Sequence, residues 1–303
     1  VPALLPLLPI PLLFLAGVVL RRRGVLDGAF GDRALAWVVN LALPALILGS
    51  VPALDLSRDL LWLPGLAIAT DLLVGGAALA VGLALGLSSQ RLGVFVIGPM
   101  IMNLAAVYPF VLLGWGEQPF ALLVLFDFGN AFLTLTLTYG LAAWFGGHGG
   151  GPAAVVRALV AFPPFAALAL ALGMNLAQSP LPANLADGLM ILGRWLLLLV
   201  PLALGLHFQL ARVQVPALLL AMGLRVGLGL LLGLGWVAGL GLGGAPAAVV
   251  LIGVLAPVGF NTLVYAARVG LDRSFAASLS SLSLLLGMLY LPLAVLWLRP
   301  AGP

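Results

Sequence analysis

The 303-residue chain contains no cysteine, no lysine among its 13 basic residues, and only 7% charged residues. Without cysteine there is neither a disulfide framework nor a thiolate metal site, and redox compartment leaves no mark. The shortage of charge excludes more. A soluble domain usually carries about 25% charged residues, so a water-soluble fold of this composition would have almost nothing to cover its surface with. No stretch is long or polar enough for a separate soluble domain. Metal-ligand spacing, a Gly-rich phosphate loop and a nucleophile triad are also missing, so no cofactor is implied. The nine acidic residues fall on separate elements, which argues against a membrane-embedded enzyme such as a lipid-modifying one. The net charge of +4 does not point to nucleic acid, because the arginines are scattered between apolar runs.

What the chain has is apolar length: 63% hydrophobic residues and a mean hydropathy of +1.25. A helix needs about 20 apolar residues to cross the hydrocarbon core. Runs bounded by charge, Gly or Pro place helices at about 1–20, 34–51, 59–86, 92–114, 119–145, 153–173, 187–206, 216–240, 246–266 and 276–298. The expected fold is therefore an all-α membrane protein of about ten transmembrane helices. Residues 1–20 read as a retained first helix rather than a secretory signal, since Arg21, Arg22 and Arg23 follow the apolar run instead of preceding it.

Arginine placement gives an orientation, because short loops rich in Arg stay in the cytoplasm. With ten crossings, one side holds Arg21, Arg22, Arg23, Arg33, Arg91, Arg157, Arg212, Arg268 and Arg273, and the other only Arg58 and Arg299. Both termini are then outside a bacterial-type plasma membrane. The Gly-rich segment 146–152 becomes a cytoplasmic linker between a first five-helix unit, 1–145, and a second, 153–303. His148 in that linker reads as a solvated loop residue. Five crossings each give the two units opposite orientation, the arithmetic of an inverted repeat. A constant shift of 154 places Asp71 on Arg225, Asn103 on Pro257 and Gly116 on Gly270.

Each unit carries one interrupted helix. Pro99, Asn103, Tyr108 and Pro109 break the fourth; Pro257 and Asn261, followed by Thr262, break the ninth. Proline removes a backbone donor and frees a carbonyl one turn earlier, while Asn caps loosened backbone or reaches a ligand. Exposed half-helix N-termini suit a carboxylate. A single Pro reads more simply as a kink and a single Asn as helix-to-helix glue. Two such interruptions at matching places point to a site, with Asn103, Tyr108, Pro109, Pro257, Asn261 and Thr262 as its substrate-binding candidates.

The stretch Ala256-Pro257-Val258-Gly259-Phe260-Asn261, then Ala266 to Gly270-Leu271-Asp272, Ala276-Ala277-Ser278 and Leu291-Pro292-Leu293, resembles the auxin efflux carrier family. Arg22-Arg23-Gly24-Val25-Leu26-Asp27, Leu41-Ala42-Leu43-Pro44-Ala45-Leu46-Ile47, Phe126-Asp127-Phe128-Gly129-Asn130 and Leu224-Arg225 extend the resemblance over nearly the whole chain. It implies two inverted five-helix repeats, a scaffold part, and a transport part whose fourth and ninth helices unwind and cross beside the substrate anion. The family's first interruption usually has Gly-rich positions after its Asn and a Pro seven residues on. Here Pro109 lies six after Asn103, and 104–107 holds no Gly.

Charges within spans are costly and are functional candidates by default. Asp71, Asp127 and Arg225 are the candidates for ion or proton coupling, with a structural ion pair as the competing reading of Asp71 and Arg225. Asp127 lies near the start of its span, where a solvated interfacial carboxylate is an equal alternative. Arg194 reads as snorkelling and His207 as interfacial. The expected function is secondary active transport of a small organic anion, such as a malate- or auxin-like carboxylate, with a proton or sodium ion as coupling partner, lipid around it and a homodimer left open. The alternative is a sodium-coupled carrier of bile-acid type, whose ion would need oxygens from Asn103, Thr134, Thr136, Asn261 and Ser280.

Overall fold

The computed structural model describes residues 4–54, 62–147, 159–210 and 215–300. In chain order its helices are α1 (Leu5–Arg22), α2 (Gly28–Ala53), α3 (Leu63–Ala84), α4 (Ser89–Met100), α5 (Leu104–Trp115) and α6 (Glu117–Phe145). There follow α7 (Pro163–Leu176), α8 (Ala183–Leu206), α9 (Val215–Gly239), α10 (Gly244–Val254), α11 (Asn261–Val269) and α12 (Arg273–Trp297). Among the described residues, seven of these (α1, α2, α3, α6, α8, α9 and α12) are long and apolar enough to cross a membrane. Most of the linker 146–152 and its His148 lie outside the described residues, as do Arg58, Arg157 and Arg212.

Local chemistry sets the helix ends. Asp27 accepts a hydrogen bond from the Phe30 N–H at 2.8 Å and so caps α2 at Gly28, earlier than the apolar run alone places it. The first turns are an amphipathic lead-in that a hydropathy window discards. Asp272 does the same for α12 through the Phe275 N–H at 2.9 Å, and its other oxygen pairs with Arg91 at 3.0 Å, tying α12 to α4. The expected helices at 92–114 and 246–266 are each two pieces, α4 with α5 and α10 with α11, separated by short links at 101–103 and 255–260.

Three long helices carry a π-helical turn, at Val38–Ala42 in α2, Thr134–Thr138 in α6 and Leu224–Leu228 in α9. Such turns widen the backbone locally and often mark functional positions. Two of them border the cavity described below and the third carries Arg225.

The helices pack mainly within two groups: α1, α2, α7 and α8 in one, and α3 to α6 with α9 to α12 in the other. Small residues allow the closest approaches, as lipid-embedded packing favours. Gly17 of α1 faces Gly205 of α8, and a Cβ at either would overlap the other helix's backbone. The buried apolar side chains form two clusters. One runs from α1 and α2 through α5 and the first half of α6, and the other joins α4 to α11 and the start of α12.

Candidate functional site: a crossover beside a cavity

The two broken segments meet. Met102 and Val258 pair as an isolated antiparallel bridge: the Asn103 N–H donates to the Pro257 carbonyl at 2.8 Å, and the Gly259 N–H to the Ile101 carbonyl at 2.9 Å. Gly259 permits the approach, since a Cβ there would overlap the Ile101 side chain. Backbone left unpaired by a broken helix cannot turn to water inside a membrane protein, so neighbouring groups must satisfy it. Asn130 on α6 does so for Met102, accepting from its N–H at 3.0 Å and donating to its carbonyl at 3.2 Å. Ser283 on α12 accepts from the Val258 N–H at 2.9 Å. The Tyr290 hydroxyl donates to the Leu255 carbonyl at 2.6 Å. Asn103 caps α5, its side-chain oxygen accepting from the Ala106 N–H at 3.3 Å.

Arg225 closes one face of this crossing. Its guanidinium is fully buried and donates to the Pro99 carbonyl at 2.9 Å and the Val254 carbonyl at 3.3 Å. Those carbonyls belong to the last turns of α4 and α10, the negative ends of two half-helices. The Asp71 carboxylate on α3, also fully buried, lies 3.3 Å from the same guanidinium. Asp71 and Arg225, one of the pairs aligned by the 154-residue shift, are thus in contact. Asp71 Oδ2 and Arg225 Nε find no hydrogen-bond partner among the described residues, so the pair is held by charge and by the helix ends rather than by a complete network.

The opposite face borders a cavity of about 540 Å³ that lies between the two helix groups. One wall is α2, with Asp32, Ala36 and Asn40, plus Phe162 and Leu204. The other wall is the crossover itself, with Asn103, Tyr108, Asp127, Asn130, Thr134 and Asn261. Asp32 and Arg268 also border it and are exposed. The N-termini of α5 and α11 both begin at this wall, so the positive ends of two half-helices face the cavity while the negative ends are held by Arg225. Asp127 on α6 stands at the cavity wall, where it accepts from the Asn130 amide at 2.6 Å and from the Tyr108 hydroxyl.

The sequence candidates divide by place. Asn103, Tyr108, Asp127 and Asn261 line the cavity; Asn103 and Tyr108 are otherwise buried, and Asn261 is exposed to it. Pro257 supplies a crossover carbonyl, whereas Pro109 is buried within α5. Thr262 is fully buried and borders none of the described cavities. Asn130, which stands outside both interruptions in the sequence, belongs to the crossover through its bonds to Met102, and Ser283 and Tyr290 join it. The His207 ring, at the end of α8, lies 2.9 Å from Asp32 and packs edge-on against Phe260 with centroids 4.6 Å apart. Arg194 pairs with Glu117 at 3.2 Å on the surface.

The chain is 27% identical over 292 residues, 94% of its own length and 95% of the relative's, to a protein of Methanothermobacter thermautotrophicus named only as an uncharacterized transporter. This is a transporter-like membrane protein. No family model matches the chain.

Proposed function

We propose that the protein is a secondary active carrier of a small organic anion, with α4–α5 and α10–α11 as the interrupted fourth and ninth of ten crossings. The observation that carries this reading is the cavity of about 540 Å³ between two helix groups, ending on a crossover where two half-helix N-termini meet. A site between two packed bodies alternates its opening when one body moves against the other, and positive half-helix ends favour a carboxylate. The inverted repeat is supported by Asp71 with Arg225 and by the antiparallel meeting of the two links. The resemblance to the auxin efflux carriers points the same way. On the arginine count the cavity opens to the cytoplasm, since Asp32 and Arg268 lie on the Arg-rich side.

The sodium-coupled alternative has less to build on. Of its five candidate oxygen donors, Asn103, Thr134 and Asn261 line the large cavity, but Thr136 donates to the Phe132 carbonyl on an exposed face and Ser280 borders a separate small pocket. The negative ends of α4 and α10, with Asp71, would suit a cation, but the Arg225 guanidinium already takes them. The test is uptake of labelled malate, succinate, benzoate and indole-3-acetate into proteoliposomes at several pH values, with and without sodium. Saturable, sodium-independent uptake of one of them is expected. No uptake above protein-free liposomes for any of them, at any pH, overturns the reading.

A further inference from the structure

Among the described residues, Asp71 and Asp127 are carboxylates placed well within candidate membrane spans, and their surroundings are opposite. Asp71 has a guanidinium against it and borders none of the described cavities. Asp127 borders the large cavity and a smaller one of about 30 Å³ behind it. Its hydrogen-bond partners, Tyr108 and Asn130, are both neutral.

Among the described residues, the elements packed around Asp127 supply no cation beside it. On α3 the charged residue is Asp71, already paired with Arg225. The facing parts of α7 and of the segment before it are Phe162, Pro164, Phe165 and Leu168, and α10 carries no charged residue. Tyr108 is the only titratable side chain on α5. The cavity is also bordered by Asp32, engaged with His207, and by Arg268, both exposed.

We infer that Asp127 is the proton site of the carrier, and that an organic anion occupies the cavity only together with a proton on this carboxylate. The inference rests on the organic-anion reading above. An anion beside an ionised Asp127 would face a like charge at short range in a partly enclosed cavity, where repulsion is screened less than in bulk water. A proton removes that repulsion. It also changes the donors on offer. Placed on Oδ2, it turns Asp127 into a donor to the Tyr108 oxygen, and the tyrosine's own hydrogen is then free to turn into the cavity toward the anion. The state of the carboxylate reaches the crossover as well, because the Asn130 amide that holds Asp127 also holds both polar groups of Met102.

Reciprocity makes this measurable: if a proton on Asp127 favours the anion, the anion favours the proton by the same factor. The experiment is calorimetric binding of malate, succinate, benzoate and indole-3-acetate to the protein in lipid nanodiscs, in two buffers of different ionisation enthalpy, so that protons taken up per anion are counted. With Asp127 ionised, uptake near one proton per anion is expected, with affinity rising roughly tenfold for each pH unit lowered. Asp127→Asn should bind with no proton uptake and no pH dependence, and Asp127→Glu should restore both. Wild-type binding with no proton uptake overturns the inference and leaves the organic-anion reading standing, as does uptake unchanged in Asp127→Asn. Binding of none of these anions at any pH overturns both.

Discussion

Arg225 is where the polar groups of the crossover converge, and its partners decide what its loss does. Breaking a buried pair leaves the other charge without compensation, at about 3–5 kcal/mol. Arg225→Ala should therefore lower the melting temperature of the detergent-purified protein markedly, and Asp71→Asn should lower it too. The double substitution should cost less than the sum, and strict additivity would remove the coupling. Asn130 is a second such residue. Asn130→Ala strands the Met102 N–H and carbonyl, for which about 1–3 kcal/mol is expected, whereas Asn40→Ala removes an exposed amide from the cavity wall and should leave stability unchanged. Read along the chain, these two asparagines look alike, because both stand outside the interruptions. Only the folding of α6 against the link 101–103 separates them.

At the scale of the elements, the interruptions were legible because proline and asparagine are costly in an apolar run and the sequence marks them twice. The π-turns were not: a widened turn needs no special residue, and Thr134–Thr138 reads as an ordinary apolar-polar alternation. The supports on α6 and α12 were hidden for a related reason. Asn130 and Ser283 lie in regular helix and gain their role from what packs beside them. The two crossover asparagines also differ in a way that spacing does not reveal. Asn103 caps α5, so Asn103→Ala should cost about 0.5–2 kcal/mol of stability as well as affinity. Asn261 is exposed to the cavity and should, when changed to Ala, lose anion affinity with the melting temperature unmoved. Thermal melts of both variants beside binding measurements check this, and equal loss of stability in the two would contradict it.

For the whole molecule, membrane character and an all-helical fold follow from hydropathy, since a 303-residue chain with 7% charge has few alternatives. The division into two packed groups does not, because α7 and α8 join α1 and α2 across more than a hundred residues of intervening chain. That division is what creates the cavity. The most direct test uses the absence of cysteine. Ala36 is exposed on the α2 wall of the cavity, is small, and makes no polar side-chain contact, so Ala36→Cys gives a single reporter at little cost to the fold. The measurement is uptake of the transported carboxylate into proteoliposomes after labelling with a bulky, membrane-impermeant thiol reagent, with and without that carboxylate present. Labelling should abolish uptake, and the carboxylate should slow labelling in proportion to its occupancy of the site. Full transport by completely labelled protein would show that the anion does not pass between these two groups of helices.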